Sequence, residues 1–91
     1  MDKNEEEAVR WYRKAAEQGY AQAQCTLGDC CLRGKGVEKD EKKAAEWYRK
    51  AAEQNDEEAQ YKLGQCYDDA VGVDRDTEKA AEWYKKSAEN G

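Results

Sequence analysis

The 91-residue chain contains no histidine, no proline, no phenylalanine and no isoleucine. Lack of histidine excludes most acid–base triads and zinc hydrolase sites. Long apolar runs are absent too, so nothing in the sequence spans a bilayer. The opening residues, MDKNEEE, have no apolar stretch of the kind a secretory leader needs. Positive charge is in deficit: 16 Lys and Arg stand against 21 Asp and Glu, a net charge of −5. That balance argues against nucleic-acid phosphates and against anionic lipid as partners. Leucine and valine together supply only seven residues, a poverty that in isolation reads as disorder.

What is present opposes disorder. There are 14 alanines, which let helices approach closely, and nine large aromatics, three Trp and six Tyr. Each such aromatic buries roughly 150–250 Å². Helix formers (Ala, Glu, Lys, Gln, Arg) make up most of the remainder. The expectation is an all-α protein with a core of alanine and aromatic side chains.

An internal repeat sets the architecture. Trp11-Tyr12, Trp47-Tyr48 and Trp83-Tyr84 recur at a spacing of 36 residues, within WYRKAAEQ, WYRKAAEQ and WYKKSAEN. Leu27-Gly28 returns as Leu63-Gly64, Cys30 as Cys66, and Gly36-Val37 as Gly72-Val73. Residues 4–39 laid on 40–75 without gaps share 17 of 36 positions. Each unit holds two helical patterns. In type B, Ala44, Tyr48, Ala51 and Ala52 lie on one face. Asn4, Asp40 and Asp76 stand before these helices as N-caps, and Gly19, Asn55 and Gly91 follow them as left-handed stops. Type A carries the stripe Ala23, Leu27, Cys30, Cys31, repeated as Ala59, Leu63, Cys66, Tyr67. Gly28 and Gly64 sit inside type A at about 1 kcal/mol each against alanine, a cost that close helix approach offsets. The predicted order is B (4–18), A (21–33), B (40–54), A (57–69), B (76–90): five antiparallel helices, about two and a half 36-residue repeats, in one domain spanning 1–91.

These residues resemble the Sel-one-like repeat (SLR), a relative of the tetratricopeptide repeat (TPR). The resemblance is carried by Leu63-Gly64-Gln65-Cys66-Tyr67 on helix A, by the loop Gly34-Lys35-Gly36-Val37-Glu38-Lys39-Asp40, and by Lys43-Ala44 through Ala52 on helix B. It implies a right-handed α/α superhelix, or solenoid, whose A helices line a concave surface. The role it implies is a non-catalytic adaptor for peptides or proteins. Ala70 departs from the pattern at the first loop glycine, and Cys31 at the helix-A tyrosine. In the cysteine-rich branch of the family, a helix-linking cysteine pair falls at positions held here by Ala16/Gln24 and Ala52/Gln60, so that disulfide scheme is absent.

Each candidate site has a plain structural alternative. The Trp and Tyr pairs read as packing between repeats, with Trp83 and Tyr84 the expected exception, because no later repeat covers them. An apolar contact patch is therefore expected at the last helix. Cys25, Cys30, Cys31 and Cys66 lack metal-ligand spacing, and no histidine is available to a thiolate. A Cys30–Cys66 disulfide needs Cα atoms roughly 4.4–6.8 Å apart, closer than the roughly 8–10 Å between packed helix axes. Cys30 and Cys66 read as reduced core residues, while Cys25 is expected at the surface. Asp68, Asp69, Asp74 and Asp76 fail the spacing of a calcium loop and read as a solvated loop with a cap. Glu46 with Lys50 and Glu82 with Lys86 read as i,i+4 surface pairs.

The remaining candidate is the concave face: Gln22, Cys25, Thr26, Asp29 and Arg33 on the first A helix, and Glu58, Tyr61, Lys62, Gln65 and Asp69 on the second. Two cations and three acids make it mildly acidic, which suits a polar or basic peptide or protein. The leading expectation is a protein–protein interaction module without cofactor, metal or catalysis. A competing one is a structural repeat scaffold, excised or engineered, that self-associates end to end through its uncapped terminal helices. Lack of a leader and of disulfides leans toward the cytoplasm.

Overall fold

The computed structural model describes residues 3–91. Among them are five helices and no strand: α1 (Lys3–Glu17), α2 (Ala21–Arg33), α3 (Glu41–Glu53), α4 (Glu57–Asp69) and α5 (Thr77–Asn90). The counterparts of Val37-Glu38 at Met1-Asp2 lie outside the described residues. Each helix packs on its sequence neighbours in an elongated stack of 39 × 23 × 17 Å.

Caps place the helix ends. Asp40 and Asp76 accept from the amides of Lys43 (3.1 Å) and Lys79 (3.0 Å) as N-caps of α3 and α5. Asp56 does the same for α4 through Ala59 N, at 2.9 Å. Asn4 departs from the expectation, because α1 already runs from Lys3 and encloses it. Glu5 and Glu6 put negative charge in that first turn, where the helix dipole favours it. Gly19 (φ 93°) and Asn55 (φ 72°) make the left-handed turns into α2 and α4.

Ala70 also takes the left-handed conformation, φ 56°, where Gly34 serves the first copy. A Cβ in that region costs roughly 1–2 kcal/mol. Ala70→Gly is accordingly expected to stabilise the chain by about 1 kcal/mol, after the entropy glycine adds to the unfolded state. A urea denaturation midpoint moving upward checks it.

The core lies between the two helix types. Leu27 and Leu63 are fully enclosed, and Ala44, Tyr48, Ala51 and Ala52 form the buried face of α3. Gly28 and Gly64 are the points of closest approach. A Cβ on Gly28 would lie 2.7 Å from Tyr48 Cε1, and one on Gly64 2.8 Å from Tyr84 Cδ1. Glycine in α2 and α4 is thus the socket for the tyrosine of the following B helix.

Two buried glutamines, absent from the predicted core, tie the repeats together. Gln24 Nε2 donates to Ala16 O (3.0 Å), and Gln24 Oε1 accepts from Gln54 Nε2 (2.8 Å). One repeat later Gln60 Nε2 donates to Ala52 O (3.2 Å), and Gln60 Oε1 accepts from Asn90 Nδ2 (2.8 Å). These bonds join the positions that the cysteine-rich resemblance would link covalently.

The tryptophans run opposite to expectation. Trp11, which has a later repeat beside it, is 70% exposed, whereas Trp47 and Trp83 are half-buried. Trp83 lines a shallow cleft together with Ala52 and Glu53 of α3. Lysines three residues on cover these rings: Lys14 over Trp11 at 5.3 Å, Lys50 over Trp47 at 4.6 Å and Lys86 over Trp83 at 4.7 Å. Lys50 and Lys86 therefore engage tryptophan, where pairing with Glu46 and Glu82 was expected.

Candidate functional site, the shared face of α2 and α4

Asp29 is the hub of the face where α2 meets α4. Both its carboxylate oxygens accept from Lys62 Nζ at 2.6 Å, and Oδ1 also accepts from the Tyr48 hydroxyl at 2.5 Å. Lys62 reaches Glu58 as well, at 3.8 Å. Burial disfavours the Lys62 ammonium, but the hydrogen bond and charge of Asp29 outweigh it and hold the amine above its ordinary pKa. Burial and the bond to Asp29 likewise push the Tyr48 hydroxyl far up. Asp29 and Lys62 thus join two repeats, with their charges spent on each other.

Cys25 corrects the sequence reading, being only 2% exposed. It sits at the seam between the A helices, where its thiol donates to Glu58 Oε1 at 3.8 Å. Burial pushes that thiol up to about 12, with Lys62 pulling the other way and Glu58 adding to the rise. Cys66 is pushed up to about 11, first by burial and then by Glu41 and Asp69. At neutral pH both are protonated thiols, poor as nucleophiles or metal ligands.

Cys25, Asp29 and Glu58 bring ligand atoms within 4.8 Å of one another, a grouping the sequence spacing did not reveal. The Lys62 ammonium bonds both acids. It supplies the positive charge that a metal ion would bring, so the cluster is a folded-in ion-pair network.

Of the other predicted residues, Gln22, Arg33, Gln65 and Asp69 are exposed, and Glu58 is exposed beside Lys62. Thr26 is half-buried, its hydroxyl donating to Gln22 O at 3.0 Å. Tyr61 stands out: 51% of it faces solvent, while its ring packs against Tyr84 at 5.4 Å, tilted by 47°. Trp83 and Tyr84 are half-buried and form a smaller patch than expected. The larger aromatic exposure is at the opposite end, in Trp11, Tyr12 (37%) and Tyr20 (62%).

Fold and face together define a class, the helical repeat scaffold that offers a preformed surface. The Sel1 repeat pattern matches residues 1–20, 21–56 and 57–91, and the chain belongs to that family. A Sel1 repeat protein from Oxalobacter formigenes is similar over the whole chain, at 44% identity and a TM-score of 0.94. So is the SLR-fold protective antigen c5321 of uropathogenic Escherichia coli, over 94% of the chain at 44% identity and TM-score 0.93. The chain spans 37% and 18% of the lengths of these two proteins. Helicobacter pylori cysteine rich protein B matches the whole chain at 30% identity and TM-score 0.91, and the chain spans 67% of it. A search of curated proteins returned no match. Sel1 repeat proteins are in general non-catalytic scaffolds that bind other proteins. No helix among the described residues is long and apolar enough to cross a membrane.

Proposed function

We propose that this chain is a non-catalytic interaction module that holds a polar or basic peptide against the shared face of α2 and α4. The observation that carries the reading is Tyr61, an aromatic half open to solvent and braced by Tyr84 on a face already made rigid by the Asp29–Lys62 pair. An anchor of this kind contributes contact area at little entropic cost on binding. With Asp29 and Lys62 mutually neutralised, the remaining charges of the set are one cation, Arg33, and two acids, Glu58 and Asp69, a mild acidity that suits a basic ligand.

Lys62→Glu is a poor probe, because it sets a third carboxylate against Asp29 and Glu58 inside the network. Tyr61→Ala is the clean one. Against an array of basic and polar peptides, it is expected to weaken captured peptides at least about tenfold, a loss of about 1.4 kcal/mol, with the helical circular dichroism spectrum unchanged at the binding temperature. Equal capture by Tyr61→Ala and the parent chain overturns this site.

End-to-end self-association is less well supported. Both terminal helices are of type B, so two copies stacked in line set α5 against α1 with no type A helix between them.

A further inference from the structure

Cys25 and Asp29 stand four residues apart on α2, a spacing that puts both side chains on one face of the helix. Glu58, in the first turn of α4, reaches the same point from across the seam. A thiol sulfur and two carboxylate oxygens thus lie within 4.8 Å of one another, although Cys25 and Glu58 are 33 residues apart. One sulfur and two oxygens, drawn from two helices, have the donor chemistry of a site for a thiophilic divalent cation.

The surroundings of the three side chains set them apart from a chance meeting of acids. Asp29 is held in place by the buried Tyr48 hydroxyl, which donates to its Oδ1 at 2.5 Å, the kind of outer contact that orients a metal-binding carboxylate. The grouping already holds a cation, since Lys62 Nζ lies 2.6 Å from both Asp29 oxygens and 3.8 Å from Glu58 Oε1. That same Glu58 oxygen accepts from the Cys25 thiol, also at 3.8 Å, so ammonium and sulfur converge on one atom. Charge balance is incomplete there: one ammonium meets two carboxylates, and among the described residues neither acid has a second ion-pair partner. A cleft of about 390 Å³, lined by Gln22, Cys25, Asp56, Glu57 and Glu58, among others, opens beside the thiol and gives an ion its way in.

We propose that Cys25, Asp29 and Glu58 form a binding site for a thiophilic divalent cation of the zinc and cadmium kind, with Lys62 as its alternative occupant. Coordination breaks the S–H bond of Cys25, whose proton passes to solvent, because a bound divalent ion deprotonates a thiol that a single ammonium does not. Lys62 keeps its own proton and swings out on its flexible four-carbon stem. Exchange of one proton for a divalent ion adds one positive charge to the shared face and releases the Asp29–Lys62 pair. The site stands independently of peptide binding at Tyr61.

Cadmium alone is the probe, titrated into the reduced chain and followed by its thiolate charge-transfer absorbance in the ultraviolet. The parent chain is expected to bind one equivalent, and Lys62→Met to bind it at least about tenfold more tightly, because no ammonium competes. Cys25→Ser is expected to abolish the band in either background. Glu58→Gln, a change at an exposed position, is expected to weaken binding at least about tenfold with the helical circular dichroism unchanged. Zinc added afterwards should displace cadmium and erase the band. Absence of a Cys25-dependent band in the parent chain up to about 1 mM cadmium overturns the site. Equal affinity of the parent chain and Lys62→Met overturns Lys62 as the alternative occupant. A band that grows only as helical circular dichroism is lost also overturns the site, since cadmium is then drawing on cysteines of the unfolded chain.

Discussion

Gly28→Leu is expected to destabilise the chain by about 3 kcal/mol, the upper end for overpacking in a closed core. Even the first added carbon meets Tyr48 Cε1 at 2.7 Å and Cδ1 at 2.8 Å, with Ala44 O at 3.3 Å. Tyr48 cannot swing aside: it is 1% exposed, and its hydroxyl is held by Asp29. The helix propensity gained by losing a mid-helix glycine, at most about 1 kcal/mol, does not compensate. Gly64→Leu makes the same clash against Tyr84, but that ring lies half-buried on the last helix and can yield. Its cost is expected to be smaller, about 1–2 kcal/mol. Urea denaturation of the two variants side by side tests both the clash and the order. Equal midpoints for Gly28→Leu and the parent chain contradict the socket.

The second large effect belongs to Gln60. The side chain is 1% exposed and bridges α3 to α5, donating to Ala52 O and Asn55 Oδ1 and accepting from Asn90. Gln60→Leu keeps the apolar bulk and removes all of these bonds, leaving Asn90 and the Ala52 carbonyl to recover what they can from solvent. A loss of about 2–3 kcal/mol is expected. Asn90 is exposed and holds Gln60 from the outside. Asn90→Ala alone should therefore cost about 1 kcal/mol, and the double variant less than the sum. Additive losses in thermal melts would show that the two amides act independently.

Much of this fold was legible from residue types alone. The 36-residue period, the alternation of helix patterns and the Asp40 and Asp76 caps depend on local chemistry and on i, i+3, i+4 faces, which a linear sequence displays. The enclosed Leu27, Leu63 and Tyr48 follow from the same stripes. Asn4 is not a cap, because it already lies within α1. Ala70 looked like a broken loop signal, yet tertiary closure imposes the left-handed turn on it regardless.

The candidate site was less legible. Its ten residues were drawn from one side of two helices, and helical periodicity does not say which of them meet another helix there. Cys25 and Lys62 look like surface positions on a wheel, and the seam between α2 and α4 buries the first and pairs the second. Trp83 was expected to lie open and is half-buried, since equal spacing does not tell how much of a ring its neighbours cover. Polar residues such as Gln24 and Gln60 gave no core signal, because glutamine is buried only where partners complete its bonds.

What the sequence by itself determined is therefore the repeat, its helices and its family, all properties of short-range pattern recurring at a fixed period. Only the tertiary structure decided which charges cancel, which cysteine is hidden and how far Tyr61 remains open. Those outcomes depend on contacts between residues about 18 to 36 positions apart, such as Tyr48 with Asp29 and Lys62 with Asp29. Such distances close only when the helices stack.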